Sequence, residues 1–243
     1  MQRGLLAILT AALVGACSAP PPHAVAPTGP AAPEHGETAR RGHARGGHDG
    51  GGMHHGFADA DAWAKVFDDP ARDAWQHPED VLQALELAPA MTVADVGAGT
   101  GYFAVRLARA VPAGEVIATD VEPDMVRHLD ERARREELGN LRAVRASASA
   151  SGLAAQSVDR VLVVHVWHHL ADRVAYARDL AAALRPGGKV VIVDFTLAAR
   201  RGPPASHRLA PEAIVADLTA AGLAAKVSPI TLPDQYIVEG RRP

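Results

Sequence analysis

A single cysteine in 243 residues, Cys17, excludes any intrachain disulfide. Rings are scarce too: three Trp, three Tyr and four Phe are too few for a base-stacking platform. A net charge of -3 lacks the basic footprint of a nucleic-acid binder, so nucleic acid is not an expected partner. The apolar run near the N-terminus is about a dozen residues long, short of the ~20 that cross a bilayer. What the chain does have is 48% hydrophobic content, enough for one good core, in a length that allows one or two domains.

The most informative run is Val93-Ala-Asp-Val-Gly-Ala-Gly-Thr-Gly101, followed by the amphipathic pattern Tyr102-Phe-Ala-Val-Arg-Leu-Ala108. It reads as a strand, a tight glycine turn and a helix start. Open α/β sheets hold nucleotide-like ligands at a strand's carboxyl end in this way. Glycine suits the turn because the backbone must approach the ligand and adopt φ > 0. A dinucleotide site would want a further glycine at position 102, where this chain has Tyr102. Asp95, two residues before the first glycine, disfavours a phosphate and suits a ligand carrying positive charge. S-adenosylmethionine, with a sulfonium, an α-amino group and no phosphate, fits better than NAD. Glu115-Val-Ile-Ala-Thr-Asp120 reads as a second strand whose terminal acid lies about 20 residues beyond the glycines, the place of a ribose-binding carboxylate.

Strands are expected at 92–96, 115–119, 141–145, 160–166 and 189–195. Helices are expected at 79–87, 101–111, 123–138, 172–184 and 211–221, with a final antiparallel pair at 223–229 and 235–239. Near-continuous apolar strands such as Val190-Val-Ile-Val193 imply a mostly parallel sheet covered on both faces. Right-handed crossovers then give a doubly wound, Rossmann-like α/β layout. The domain runs from 78 to 243. A pre-domain helical segment at 57–77 either packs over the cofactor mouth, shielding the ligand from water, or covers the sheet edge as plain packing.

The stretches VADVGAGTG, Ala118 to Met125, Ser157 to Leu170 and Leu184 to Phe195 occur in the order and spacing of the class I S-adenosylmethionine-dependent methyltransferases, which the chain resembles. The resemblance implies seven strands in the order 3-2-1-4-5-7-6, the last antiparallel, and S-adenosylmethionine as cofactor. It implies a cofactor-binding set of Asp95, Gly97, Ala98, Gly99, Thr100, Gly101, Asp120, Val121, Met125, Ser147, Ala148 and His165. Asp95 would meet the ammonium group, Asp120 both ribose hydroxyls. The family commonly carries an acid after the third strand for the adenine amine. This chain has no acid there until Asp159, which leaves Ser147 as a weaker acceptor.

His165-Val-Trp-His168-His169 ends the fourth strand, where the transferred methyl should point. In-line displacement needs a base only when the nucleophile arrives protonated. His168 is the first candidate and Asp194 the second; the alternative is that the histidines line the cofactor or bond loop backbone. Tyr236 either caps the substrate side or packs on the sheet. Arg200, Arg201 and Arg208 border the expected acceptor site, either favouring an anionic acceptor or lying on solvated surface. The acceptor itself is a small molecule or a protein.

Residues 1–16, with a short basic start before the apolar run, read as a secretory signal. Val14-Gly-Ala-Cys17 resembles the lipobox of bacterial lipoproteins, which implies a lipid anchor on Cys17 and a membrane-anchored domain facing the periplasm, with Ser18 resembling outer-membrane sorting. Residues 17–56, with six prolines and nine glycines after the cysteine, read as a disordered tether. The tether holds six of twelve histidines: His23, His35, His43, His48, His54 and His55. Their irregular spacing favours a polar spacer, and no metal site is assigned. Two other readings stay open: a non-catalytic nucleoside-binding or metal-handling lipoprotein, and a cytoplasmic form whose translation starts at Met53. Feeding cells a radioactive fatty acid should label a membrane-fractionated chain, and Cys17→Ala should lose the label. One unlabelled soluble band beginning near Met53 would contradict the anchor.

Overall fold

The computed structural model describes residues 59–243. The expected signal at 1–16, Cys17, the expected tether with its histidines, and Met53 lie outside the described residues. Seven strands form one sheet in the order β3-β2-β1-β4-β5-β7-β6. They are β1 (Thr92–Val96), β2 (Glu115–Asp120), β3 (Leu141–Arg145), β4 (Val158–Val164), β5 (Leu184–Phe195), β6 (Ala224–Val227) and β7 (Gln235–Arg241). β1 to β5 pair in parallel, while β7 runs antiparallel between β5 and β6. The sheet is therefore the doubly wound, Rossmann-like one expected from sequence.

Alternation along the strands builds both layers. Val93, Leu162, Val191 and Ile237 point to one face with Leu85, Phe103 and Leu107. Ala94, Val161, Val163, Ile192 and Val238 point to the other with Trp167, Leu180 and Leu218. A period of two with both faces buried explains the continuous apolar runs. The first layer is covered by α3 (Pro78–Leu85), α4 (Tyr102–Ala110) and α5 (Pro123–Arg135); the second by α6 (Arg173–Ala183) and α7 (Pro211–Ala220). Two buried cations close the C-terminus of α3. Arg160 Nε donates to the Leu85 carbonyl at 2.6 Å, and Lys189 Nζ donates to the Ala84 carbonyl at 2.6 Å. Helix-end carbonyls need such partners.

Several element ends differ from the sequence reading, two of them for local reasons. β4 stops at Val164 rather than 166, because His165 leaves the sheet with φ +59°. β5 is assigned back to Leu184, which pairs with Val158 across an irregularity that absorbs Pro186-Gly-Gly188. Ahead of the domain lie α1 (Ala60–Phe67), a 3-10 turn at Pro70–Arg72 and α2 (Asp73–Gln76). Asp59 caps α1 by accepting from the Ala62 N–H. The segment is pinned to α5 by the Arg132–Asp68 ion pair at 2.9 Å.

Candidate active site

The chain runs outward through β1, β2 and β3, then returns to lay β4 beside β1. Such a reversal opens a crevice beyond the carboxyl ends of the two strands. Gly97 to Gly101 follow β1 there, and His165 to His169 follow β4. Gly97, Gly99 and Gly101 all have positive φ, at +71°, +55° and +96°. Space is tight as well: a Cβ on Gly97 would sit 2.3 Å from Val166 Cγ2.

Asp95 is 3% exposed, one of its oxygens accepting from the Ala104 N–H. Its Oδ2 has no hydrogen-bond partner among the described residues. Burial pushes the Asp95 carboxyl up to about 7, against the opposing pull of the Arg72 guanidinium, while the Asp120 charge adds to the rise. Holding this carboxylate ionised without a cation costs on the order of 4 kcal/mol. Asp120, at the end of β2, accepts from the Gly99 N–H at 2.8 Å through Oδ2 and from the Glu122 N–H at 3.0 Å through Oδ1. Burial raises its carboxyl, with those N–H groups opposing. Each oxygen keeps a lone pair for a further donor.

The remaining expected positions fall unevenly. Ala98, Thr100 and Gly101 complete the loop, and Thr100 Oγ1 is another buried oxygen without a partner among the described residues. Met125 is buried on α5, while Val121 is exposed at 42%. Ser147 and Ala148 lie exposed in a tight turn after β3, where the Ser147 N–H donates to the Ala150 carbonyl.

The two catalytic candidates meet. His168 Nδ1 lies 2.9 and 3.0 Å from the two Asp194 oxygens, with both side chains buried. His165 is half-buried, its ring stacked on Phe195 at 4.2 Å and facing Trp75 at 6.1 Å. Its Nε2 is bonded to the Gln235 amide nitrogen. Desolvation holds the His165 imidazole well below its ordinary pKa, with Arg72, His168 and His169 adding to the effect. Phe67 reaches within 3.5 Å of where a Gly99 Cβ would stand, so the pre-domain segment lies over the glycine loop.

Some assignments change. Arg208 is not available to an anion: its Nε and Nη groups donate to the carbonyls of Pro203, Leu197 and Ala199 and wrap the loop. Arg201 is drawn to Asp234 at 3.0 Å, and Arg200 alone of the three is largely exposed. The Tyr236 hydroxyl donates to the Leu209 carbonyl, a packing role. Sequence reasoning gave no role to Arg72, Gln76 or Gln235. Arg72 Nε and Nη2 donate to Gln76 Oε1, and Gln76 Nε2 donates to Gln235 Oε1 at 2.8 Å. No local pattern marks contacts across 159 positions.

Known proteins resemble this chain in sequence and fold. Residues 93–188 match the family described as a methyltransferase domain. A SAM-dependent methyltransferase from Aquifex aeolicus is similar in structure, with a TM-score of 0.69 and 26% identity, over 75% of this chain and 98% of that one. A ubiquinone/menaquinone biosynthesis C-methyltransferase of Syntrophotalea carbinolica is 27% identical over 115 residues, 47% of this chain and 48% of that one. An uncharacterized methyltransferase of Mycobacterium tuberculosis is 35% identical over 127 residues, 52% of this chain and 49% of that one. The chain spans about half the length of the curated relatives it matches. Residues 93–188 thus match a methyltransferase domain, and the fold is similar to that of a SAM-dependent methyltransferase.

Asp95 makes stability depend on pH. A carboxyl whose pKa is higher folded than unfolded contributes stability that is full below about 4 and is lost as pH rises through about 7. Asp95→Asn abolishes that loss. In urea denaturation of the ligand-free protein, the Asn variant should gain roughly 3 kcal/mol on wild type between pH 4.5 and 8. A difference that stays flat over this range would contradict the raised pKa of this buried carboxyl.

Proposed function

We propose that the chain transfers a methyl group from S-adenosylmethionine to an acceptor lying beyond the ends of β4 and β5. The observation that carries this reading is the Asp95 oxygen, buried without a partner among the described residues beside two glycines in the left-handed region. When bound, the cofactor supplies an electrophilic methyl on a sulfonium. Ionised Asp95 answers the α-amino group and so recovers its desolvation cost. Asp120, already oriented by two backbone N–H groups, accepts from the ribose hydroxyls. Gly97 and Gly99 let the backbone come close. Phe67 and its segment keep water from the loop, which strengthens every charge interaction inside.

For an acceptor that arrives protonated, His168 is the base. An ionised Asp194 can only accept, so the proton of His168 sits on Nδ1 and the lone pair on Nε2. A histidine oriented by a buried carboxylate is a general-base arrangement, here without a nucleophilic side chain. The dyad favours an enzyme over a relative that binds the ligand without transfer. In the same reading Cys17 carries a lipid anchor at the periplasmic face of the membrane, supported by the run Val14-Gly-Ala-Cys17 alone.

Titration calorimetry should show S-adenosylhomocysteine binding to wild type and at least about tenfold weaker binding to Asp120→Ala, the cost of two hydrogen bonds to a charged group. NAD should not bind. NAD binding in place of S-adenosylhomocysteine would overturn the reading.

A further inference from the structure

One polar chain crosses the molecule from the pre-domain segment to the end of β4. It starts at Arg72, whose guanidinium is packed over the Tyr102 ring at 3.9 Å and donates to the Phe67 carbonyl at 2.9 Å and to Gln76 Oε1 at 3.3 and 3.1 Å. It continues through Gln76 and Gln235, both buried, and ends on His165 Nε2. An amide alone can be turned either way, and an imidazole can carry its proton on either nitrogen. A guanidinium cannot, since it has donors and no acceptor.

Arg72 therefore sets the sense of every bond that follows. Gln76 must present its oxygen to Arg72 and so its N–H to Gln235. Gln235 must receive that N–H on its oxygen and so turns its own N–H to His165. His165 Nε2 must accept, which leaves the ring proton on Nδ1. We infer that Arg72, acting through Gln76 and Gln235, is a positioning residue that fixes His165 as a neutral Nδ1–H donor with no free lone pair.

The charged and titratable groups around the ring agree. Arg72, His168 and His169 all oppose a second proton on it, and Arg201 lies over the neighbouring Trp75 at 4.9 Å. Asp194, the nearby acid, spends both oxygens on His168 and one also on the Phe195 N–H. The ring plane is held by Phe195, and its backbone N–H donates to the Val193 carbonyl. The two histidines thus divide the work: His165 offers a donor and no base, while His168 keeps the lone pair. The arrangement holds only while the segment bearing Arg72 and Gln76 is seated, so the cover over the glycine loop also sets the chemistry at the end of β4. The tautomer is independent of the methyl-transfer reading; only this division of roles rests on it.

Side-chain nitrogen NMR of the full, nitrogen-15-labelled chain tests this without any ligand. The His165 signals are identified by their loss in His165→Asn. Wild type should show a protonated Nδ1 and an unprotonated Nε2, unchanged when acidified to about pH 5. Arg72→Met frees the amides to turn, and a share of Nε2–H tautomer should appear. Gln235→Glu places an acceptor against Nε2, so this nitrogen should become protonated and stay so at neutral pH. Unmoved signals from His77, His128 and His207 report that each variant is folded. A wild-type Nε2–H tautomer overturns the inference whatever the variants do, and so does an unchanged ring in a folded Arg72→Met protein. Failure of the domain to bind S-adenosylhomocysteine would instead count against the proposed function and leave the tautomer intact.

Discussion

A buried carboxylate near the end of β1, with one oxygen left without a partner among the described residues, is the constraint on which the site depends. Asp95 sits where β1 gives way to the glycine loop, in surroundings that hold its pKa near 7. A bare carboxylate there is expensive, and in the proposed reading the ammonium group of the cofactor removes the expense. The left-handed glycines make room, Gly97 against Val166 most tightly. Asp120, presented by the backbone of the same loop, adds a second acceptor about one strand away. In the proposed reading a diphosphate would meet two acids here, whereas a cationic nucleoside would meet two acceptors.

The second half of the site is organised by directionality rather than charge. Arginine can only donate and an ionised carboxylate can only accept, so Arg72 and Asp194 act as fixed ends of two short chains. Each ends on a histidine after β4. His165 is left as a donor, and His168 retains its lone pair. The pre-domain segment contributes Arg72, Gln76 and Trp75, so it completes the site as well as covering it.

The sheet was readable from sequence because its signals are local. Apolar runs with a period of two, the glycine spacing and the strand-end acids each lie within a few residues. The placing of Asp95 and Asp120 near strand ends beside the glycine loop was legible for the same reason, being fixed by position relative to Gly97. The His168–Asp194 pair joins residues 26 apart, and the chain from Arg72 to His165 joins elements from both ends of the domain. Packing decides such contacts, and no spacing rule encodes them. Arg208 shows the converse: a basic residue beside the acceptor side looks like an anion hook, yet its donors close the loop's own carbonyls. β4 ended early because His165 takes a backbone conformation that histidine tolerates better than most residues.

The account is tested most directly by removing from the ligand the one group that Asp95 answers. Calorimetry at pH 8 would compare S-adenosylhomocysteine with its analogue lacking the α-amino group, on wild type and Asp95→Asn. The account predicts at least about a tenfold preference for the amine in wild type, the worth of one charge-assisted contact, and loss of that preference in the variant. Equal affinity of wild type for the two compounds would contradict it.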